Sequence, residues 1–202
     1  MGFGIADLSI VPVRREQSER SEMVSQVLFG ELFEVLEVAE KWVYIRLVHD
    51  GYEGWIDRKM YLPVSDEYAA NYRAEEPVLA TEVFNIVTKE GDYGNKLIVS
   101  GSAFPFFDVD TKKMQIGEDT YTLVSKIKEV GIDSLRDLII GYALMYYNTP
   151  YLWGGRTPYG IDCSGLSQIV YKMAGIFLPR DASQQVANGQ DFSFVEEALP
   201  GD

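Results

Sequence analysis

The sequence predicts an α+β multidomain chain, with small β-barrels first and a helical unit last, on three observations. Up to about residue 125 the apolar residues come in short runs rich in β-branched and aromatic side chains and broken by Gly, Asp and Asn, the pattern of strands and tight turns. After residue 130 the apolar period lengthens to that of one helix face. The length of 202 residues exceeds a single domain of about 100–150 residues but falls short of three full-sized ones, so two or three compact units are expected.

The first strands are read in "VSQVLFGELFEVLEV" (24–38), "KWVYIRLV" (41–48) and "EGWIDRKMYL" (53–62). Ala39-Glu40-Lys41 makes one joint, and His49-Asp50-Gly51 supplies residues suited to a tight hairpin reversal, so a strongly bent antiparallel barrel is expected. "DEYAANYRAEE" (66–76) is polar enough for a linker or a surface helix. Strand signals resume in "TEVFNIVTK", "KLIVSGSAFPFFDVD", "KKMQIG" and "DTYTLVSKI", implying a second β unit. Setting 27–37 over 98–108 pairs Gly30 with Gly101, Phe33 with Phe104 and Glu37 with Asp108 at one constant offset, as two related barrels would.

In "GIDSLRDLIIGYALMYYNTP" the residues Leu135, Leu138, Ile139, Tyr142, Met145 and Tyr146 share one helix face, with Ser134 as cap and Pro150 beyond the end, which predicts a helix of roughly 13 residues. A second helix is expected from about Ser164 to Ala174, with Asp162 as N-cap and Gly175 as the stop. Its apolar face holds Leu166, Ile169, Val170 and Met173, and by spacing Cys163 points the same way, toward the interior. Cys163 is the only cysteine, and it sits in the helix's first turn. Unpaired N–H groups and the positive end of the macrodipole stabilise an anion there, so a thiolate nucleophile and a place for an oxyanion coincide. The competing reading is a small buried hydrophobe on an amphipathic helix. Against it stands "YLWGGRTPYGID", whose Gly, Pro and aromatics suit a backbone that approaches a bound peptide closely.

The formal net charge of −13 argues against nucleic acid and anionic surfaces as partners, because phosphate binding needs clustered cations. No apolar run approaches the roughly 20 residues needed to cross a bilayer, so no membrane partner is expected. "MGFGIADLSIVPVRR" has no basic segment followed by a long apolar one, which makes the cytoplasm the default location, with the cell envelope as the alternative if a leader has been removed. "GGRTPYG" lacks the Lys-Ser/Thr ending of a phosphate loop, no metal-ligand spacing is visible, and no cofactor is implied.

"YLWGGRTPYGIDCSGLSQIVYKMAGIFLPRDASQQ" followed by "LPGD" closely resembles the NlpC-type cysteine peptidases of bacterial cell-wall metabolism. The resemblance rests on Tyr151, Trp153-Gly154-Gly155, Asp162-Cys163-Ser164-Gly165, Leu178-Pro179-Arg180 and Pro200-Gly201-Asp202, and covers 148–202. Upstream, "SEMVSQVLFGE" and "DGYEGWI" resemble the murein-peptide recycling branch, in which SH3-like barrels precede a papain-like peptidase domain. The resemblance implies an SH3-like barrel over 1–65, a second, divergent one over 66–128, and the N-terminal helical part of the peptidase domain over 129–202. It further implies cleavage between γ-D-glutamate and a diamino acid in murein peptides with a free N-terminal L-Ala. Carried onto this sequence, Cys163 is the nucleophile and Tyr151 helps hold the oxyanion, while Asp162 and Ser164 line the site. Asp181 meets the substrate amine, and Glu22 and Tyr52 close over the same end. Without the resemblance, Asp181 reads as a turn cap and Glu22 as a solvated strand-edge charge. Ala182 stands where a serine is common in this branch, one hydrogen bond fewer to substrate.

The family's histidine base follows "PGD", whereas this sequence stops at Asp202 and its only histidine, His49, is expected in a solvent-facing turn. The chain alone is therefore expected to be inactive, a front part or truncation, with Leu166 and Val170 lacking cover. The alternatives are a catalytically dead binder of murein peptides, or an acyltransferase or amidase with another substrate.

Overall fold

The computed structural model describes residues 2–125, 134–190 and 193–201. Seven antiparallel strands open the chain: β1 (Gly2–Ile5), β2 (Ile10–Arg14), β3 (Met23–Leu28), β4 (Leu32–Val38), β5 (Trp42–Leu47), β6 (Glu53–Asp57) and β7 (Leu62–Val64). Their order is β3-β2-β6-β5-β4-β1-β7, and β2 meets β6 at Arg14 and Trp55. Alternation puts Val43, Ile45 and Leu47 of β5 inside, against Val11, Val27, Phe33 and Ile56. Burying each such side chain stabilises by about 1.5–3 kcal/mol. Register shifts at Val13/Arg14 and Val35/Glu37 are the bulges that bend so short a sheet. The expected hairpin at 49–51 is present, with Gly51 at φ 71°. Strands β1 and β2 arise in "MGFGIADLSIVPVRR", to which the sequence reading assigned no element.

Helix α1 (Asp66–Ala74), capped by the Ser65 hydroxyl, leads to β8 (Val78–Leu79), β9 (Phe84–Lys89), β10 (Asn95–Val99), β11 (Ala103–Phe104), β12 (Lys113–Ile116) and β13 (Asp119–Leu123). These form a sheet of order β10-β9-β13-β12 and a β11-β8 pair. The aligned glycines occupy equivalent turns. Gly30 (φ 76°) donates to the Ala6 carbonyl while Ala6 donates to Glu31, and Gly101 (φ 78°) donates to Ala80 while Ala80 donates to Ser102. Ala103 N–H then bonds the Phe29 carbonyl at 2.8 Å, joining the two turns.

The last part carries α2 (Leu135–Leu144), β14 (Arg156–Thr157), β15 (Gly160–Ile161), α3 (Cys163–Met173) and α4 (Ala182–Gln185). Ser134 caps α2 by accepting from Asp137 N–H, but the helix has 10 residues rather than 13 and turns out of α geometry before Asn148 at φ 65°. Leu135, expected on the buried face, is exposed because it stands in the first turn, beyond the packing. Val170 and Ile169, in contrast, are buried. Leu28 at the end of β3 and Val99 at the end of β10 pack on them together with α2, so both β units supply the cover that was expected to be missing from Val170, while Leu166 is half-buried. Gly101 makes the contact close, since a Cβ there would collide with Ile169.

One buried polar node holds these parts together. Glu31 accepts from Leu28 N–H (2.7 Å), Arg156 Nη2 (3.0 Å) and Lys172 Nζ (2.6 Å). Lys172 also donates to the Gly101 carbonyl (2.7 Å), and Arg156 to the Gln26 carbonyl (3.1 Å). Burial alone would push Glu31 up, but Arg156, Lys172, His49 and the Leu28 N–H outweigh it and hold the carboxyl well below its usual range. Burial pulls Lys172 toward the neutral amine, yet its bonds to Glu31 and Gly101 match an ammonium, and we take the pair as ionised.

Candidate functional site

A cleft of about 380 Å³ lies where the first sheet, the loop after Tyr151, the start of α3 and the start of α4 meet, and Cys163 lines it. Cys163 is the first residue of α3 and is exposed, which corrects the inward direction inferred from spacing: the first turn projects beyond the face that packs on Leu28 and Val99. Its N–H and that of Ser164 have no protein acceptor among the described residues, as expected for a helix's first turn.

Asp162 sets that first turn. Its Oδ1 accepts from Gly165 N–H (2.7 Å), Ser164 Oγ (3.2 Å) and Arg180 Nη1 (3.0 Å), and its Oδ2 from Gly154 N–H (2.9 Å) and Arg180 Nη2 (2.7 Å). Burial would raise its pKa, but Arg180 and the two N–H groups lower it. The Asp162 carboxylate is thus committed to protein donors and acts by fixing α3 against the loop. Ser164 Oγ accepts from Arg180 at 2.8 Å, so its side chain also points into this network. Gly154, at φ 74°, brings the loop against the Met23 carbonyl where no Cβ would fit.

The opposite wall comes from the first sheet. Glu22 Oε1 accepts from Trp153 Nε1 at 2.7 Å and Oε2 from Arg15 Nε at 2.5 Å. These two bonds keep it below its ordinary pKa and anionic. Tyr52 is bonded to Asp181; burial first, then the Asp181 charge, push it up to about 12, so its hydroxyl stays a donor. Asp181 is at the N-cap of α4, as the capping reading had it, yet it also lines the cleft. Tyr151 lines the same cleft and is mostly exposed, bridged through its backbone to Ile161. All seven residues singled out from the sequence therefore line one cleft, along with Ala182.

His49 does not. It lies in the expected turn but faces inward, with only 13 % of its side chain exposed and Nε2 at 3.4 Å from Asp50 and 3.8 Å from Glu31. It lines a different cavity of about 590 Å³ at the other end of α3, which corrects the solvent-facing expectation. Its partners explain the error: Glu31 belongs to another turn of the sheet, a contact no local pattern reveals. The sequence reading also missed Arg15 and gave no role to Trp153 or Arg180. The signal was there for Trp153 and Arg180, inside "WGG" and "LPR"; for Arg15 there was none beyond its charge.

Comparison with known proteins follows this division. The model of the bacterial dipeptidyl-peptidase SH3 domain matches residues 13–59, and that of the NlpC/P60 family matches 148–202. Dipeptidyl-peptidase 6 of Lysinibacillus sphaericus is 30% identical over 186 residues, covering 83% of this chain and 68% of that protein. The γ-D-glutamyl-L-lysine dipeptidyl-peptidase of Bacillus cereus is 28% identical, covering 84% of this chain and 56% of the relative, so the chain spans between about half and two thirds of such proteins. A crystal structure of an NlpC/P60 family protein from Bacillus cereus superposes with a TM-score of 0.80 at 20% identity, over 99% of this chain and 81% of that one, which shows the same fold. On the site's residues, the two matching segments and a relative aligned over most of both lengths, the chain belongs to the NlpC/P60 family of cysteine peptidases.

Proposed function

We propose that the protein acts on murein peptides with a free N-terminal L-Ala and that Cys163, as a thiolate, attacks the γ-D-glutamyl carbonyl that links them to a diamino acid. The observation that carries this reading is the shared cleft: an exposed thiol at a helix N-terminus faces Glu22, Tyr52 and Asp181 across one space. Glu22 and Asp181 around an ammonium would form charge-assisted hydrogen bonds, with Tyr52 fixing the Asp181 carboxylate. The free N–H groups of Cys163 and Ser164 suit the oxyanion, and Tyr151, which lines the same cleft, would add its hydroxyl. The names of the relatives, dipeptidyl-peptidase 6 and γ-D-glutamyl-L-lysine dipeptidyl-peptidase, support this substrate class. We divide the chain accordingly into barrels over 1–65 and 66–128 and a peptidase part over 129–202; the second boundary lies outside the described residues. Mixing the protein with L-Ala-γ-D-Glu-L-Lys should release lysine, and Cys163→Ala should abolish release while the fold persists. Undiminished release by that variant would contradict the mechanism.

A second reading is favoured by the position of His49. The sequence's one imidazole lines the other cavity, so these 202 residues offer Cys163 no histidine base, and positioned acid–base groups contribute roughly 10²–10⁴-fold. On this reading the chain by itself captures the peptide and cuts it slowly or not at all. Calorimetric binding that weakens on N-acetylation, without lysine release, would support capture.

A further inference from the structure

Arg15 is the charged cleft residue to which neither the sequence motifs nor the mechanism above gives a task. Its backbone N–H bonds the Glu22 carbonyl at 3.0 Å, which holds it beside Glu22 at the end of β2. The guanidinium meets the Glu22 carboxylate through Nε alone, and its two terminal nitrogens have no hydrogen-bond partner among the described residues. The other cation of the cleft is spent: Arg180 gives both terminal nitrogens to Asp162 and Ser164, and its Nε, though unpartnered, is sealed from solvent. Outside that cluster the cleft's charges are two carboxylates, Glu22, paired with Arg15, and Asp181, bonded to Tyr52, and the Arg15 guanidinium with its two terminal nitrogens unused.

A γ-linked glutamyl residue has a matching inventory. Linkage through the side-chain carboxyl leaves its α-carboxylate free, and one L-Ala residue separates that anion from the terminal ammonium, at most roughly 7 Å for two extended residues. A guanidinium fixed at 2.5 Å from one of the two carboxylates proposed to hold the ammonium is within reach of such an anion. A planar fork with unused donors is the side chain best suited to a carboxylate. Ala182, with no hydroxyl to offer, lines the same cleft, so the anion gains nothing from that side chain.

We infer that Arg15 is a specificity-determining residue that binds the α-carboxylate of the γ-linked D-glutamate, so that the cleft reads a +/− pair of charges rather than an amine alone. This rests on the free-amine γ-glutamyl reading above. The test is a cycle of two ligands and two proteins, measured by calorimetry in the Cys163→Ala background so that no bond is cut. The ligands are L-alanyl-D-glutamate γ-methylamide and L-alanyl-4-aminobutyric methylamide, which differ only in the α-carboxylate. With Arg15 present, the acid should bind at least about tenfold tighter, the worth of one charge-assisted contact. Arg15→Gln should bring the two ligands to within about twofold by weakening only the acid, and Arg15→Lys should restore part of the difference. Equal weakening of both ligands would overturn the inference and make Arg15 a mere support for Glu22. Preference for the acid that survives Arg15→Gln would overturn it too, placing the carboxylate on the start of α3. N-acetylation that leaves both affinities unchanged would sink the amine reading while the Arg15 comparison stayed measurable; failure of both ligands to bind would overturn both.

Discussion

The two ends of α3 open into cavities of opposite character. At the C-terminal end, Met173 and Lys172 face a space of about 590 Å³ with largely apolar walls such as Leu32, Val48, Tyr72 and Phe177. Of the charged groups that line it, Glu31 pairs with Lys172 and also with Arg156, and Arg73 pairs with Glu34. At the N-terminal end the space is smaller, about 380 Å³, yet Cys163, Asp181, Tyr151 and Arg15 retain donors or acceptors that no protein group uses. Both ends have a buried ion cluster as foundation: Asp162 with Arg180 beneath the thiol, Glu31 with Lys172 and Arg156 at the junction. What distinguishes them is the layer above it. The proposed chemistry sits where an exposed thiol and polar groups of the first sheet share one space, while the larger cavity adjoins the Glu31 node that joins the parts of the fold.

Breaking the joint should have the largest effect. Glu31→Ala leaves Arg156 and Lys172 buried without their anion, a loss of about 3–5 kcal/mol, read by chemical denaturation. A destabilisation below about 1 kcal/mol would mean that water replaces the carboxylate. The same node sets an acid limit. Because folding holds Glu31 below its unfolded value near about 4.3, it contributes stability above that pH and loses it as pH falls toward about 2. The wild type should therefore lose stability over that window, and Glu31→Gln should flatten the slope.

The next largest effect belongs at the other end. Gly154→Ala places a Cβ at φ 74° against the Met23 carbonyl, costing about 1–3 kcal/mol and shifting Trp153 away from Glu22. Peptide affinity should fall with stability, whereas Glu31→Gln should move stability more than affinity; calorimetry beside denaturation separates the two. The smallest effect is at α2, away from both cavities: Ser134→Ala removes a cap worth about 1 kcal/mol, visible as a melting shift of about 2–4 °C with no change in affinity.

The parts legible in the sequence are those governed by local rules. Asp162 as cap, Gly175 as stop and Ser134 as cap follow from helix-end chemistry, and 49–51 from hairpin chemistry. The residues that line the cleft came from motif resemblance, since Glu22 and Cys163 are 141 positions apart and meet only through tertiary packing. Strands β1 and β2 were missed because two glycines and a proline interrupt their apolar runs. The directions of Cys163 and Leu135 were misjudged for one reason: helical spacing assigns a face, but a first turn can project past whatever covers that face. His49 was misjudged because the carboxylate of Glu31 reaches it from another turn.

The account stands on one cleft shared by the first sheet and α3. The most direct test is covalent capture with an L-alanyl-γ-D-glutamyl chloromethyl ketone, followed by intact-mass measurement and peptide mapping. The account predicts a single adduct on Cys163, formed at least about tenfold faster than with the N-acetylated probe, and slowed as much by Glu22→Gln. Equal labelling by the two probes, unaffected by Glu22→Gln, would show that the sheet takes no part in recognition and would contradict it.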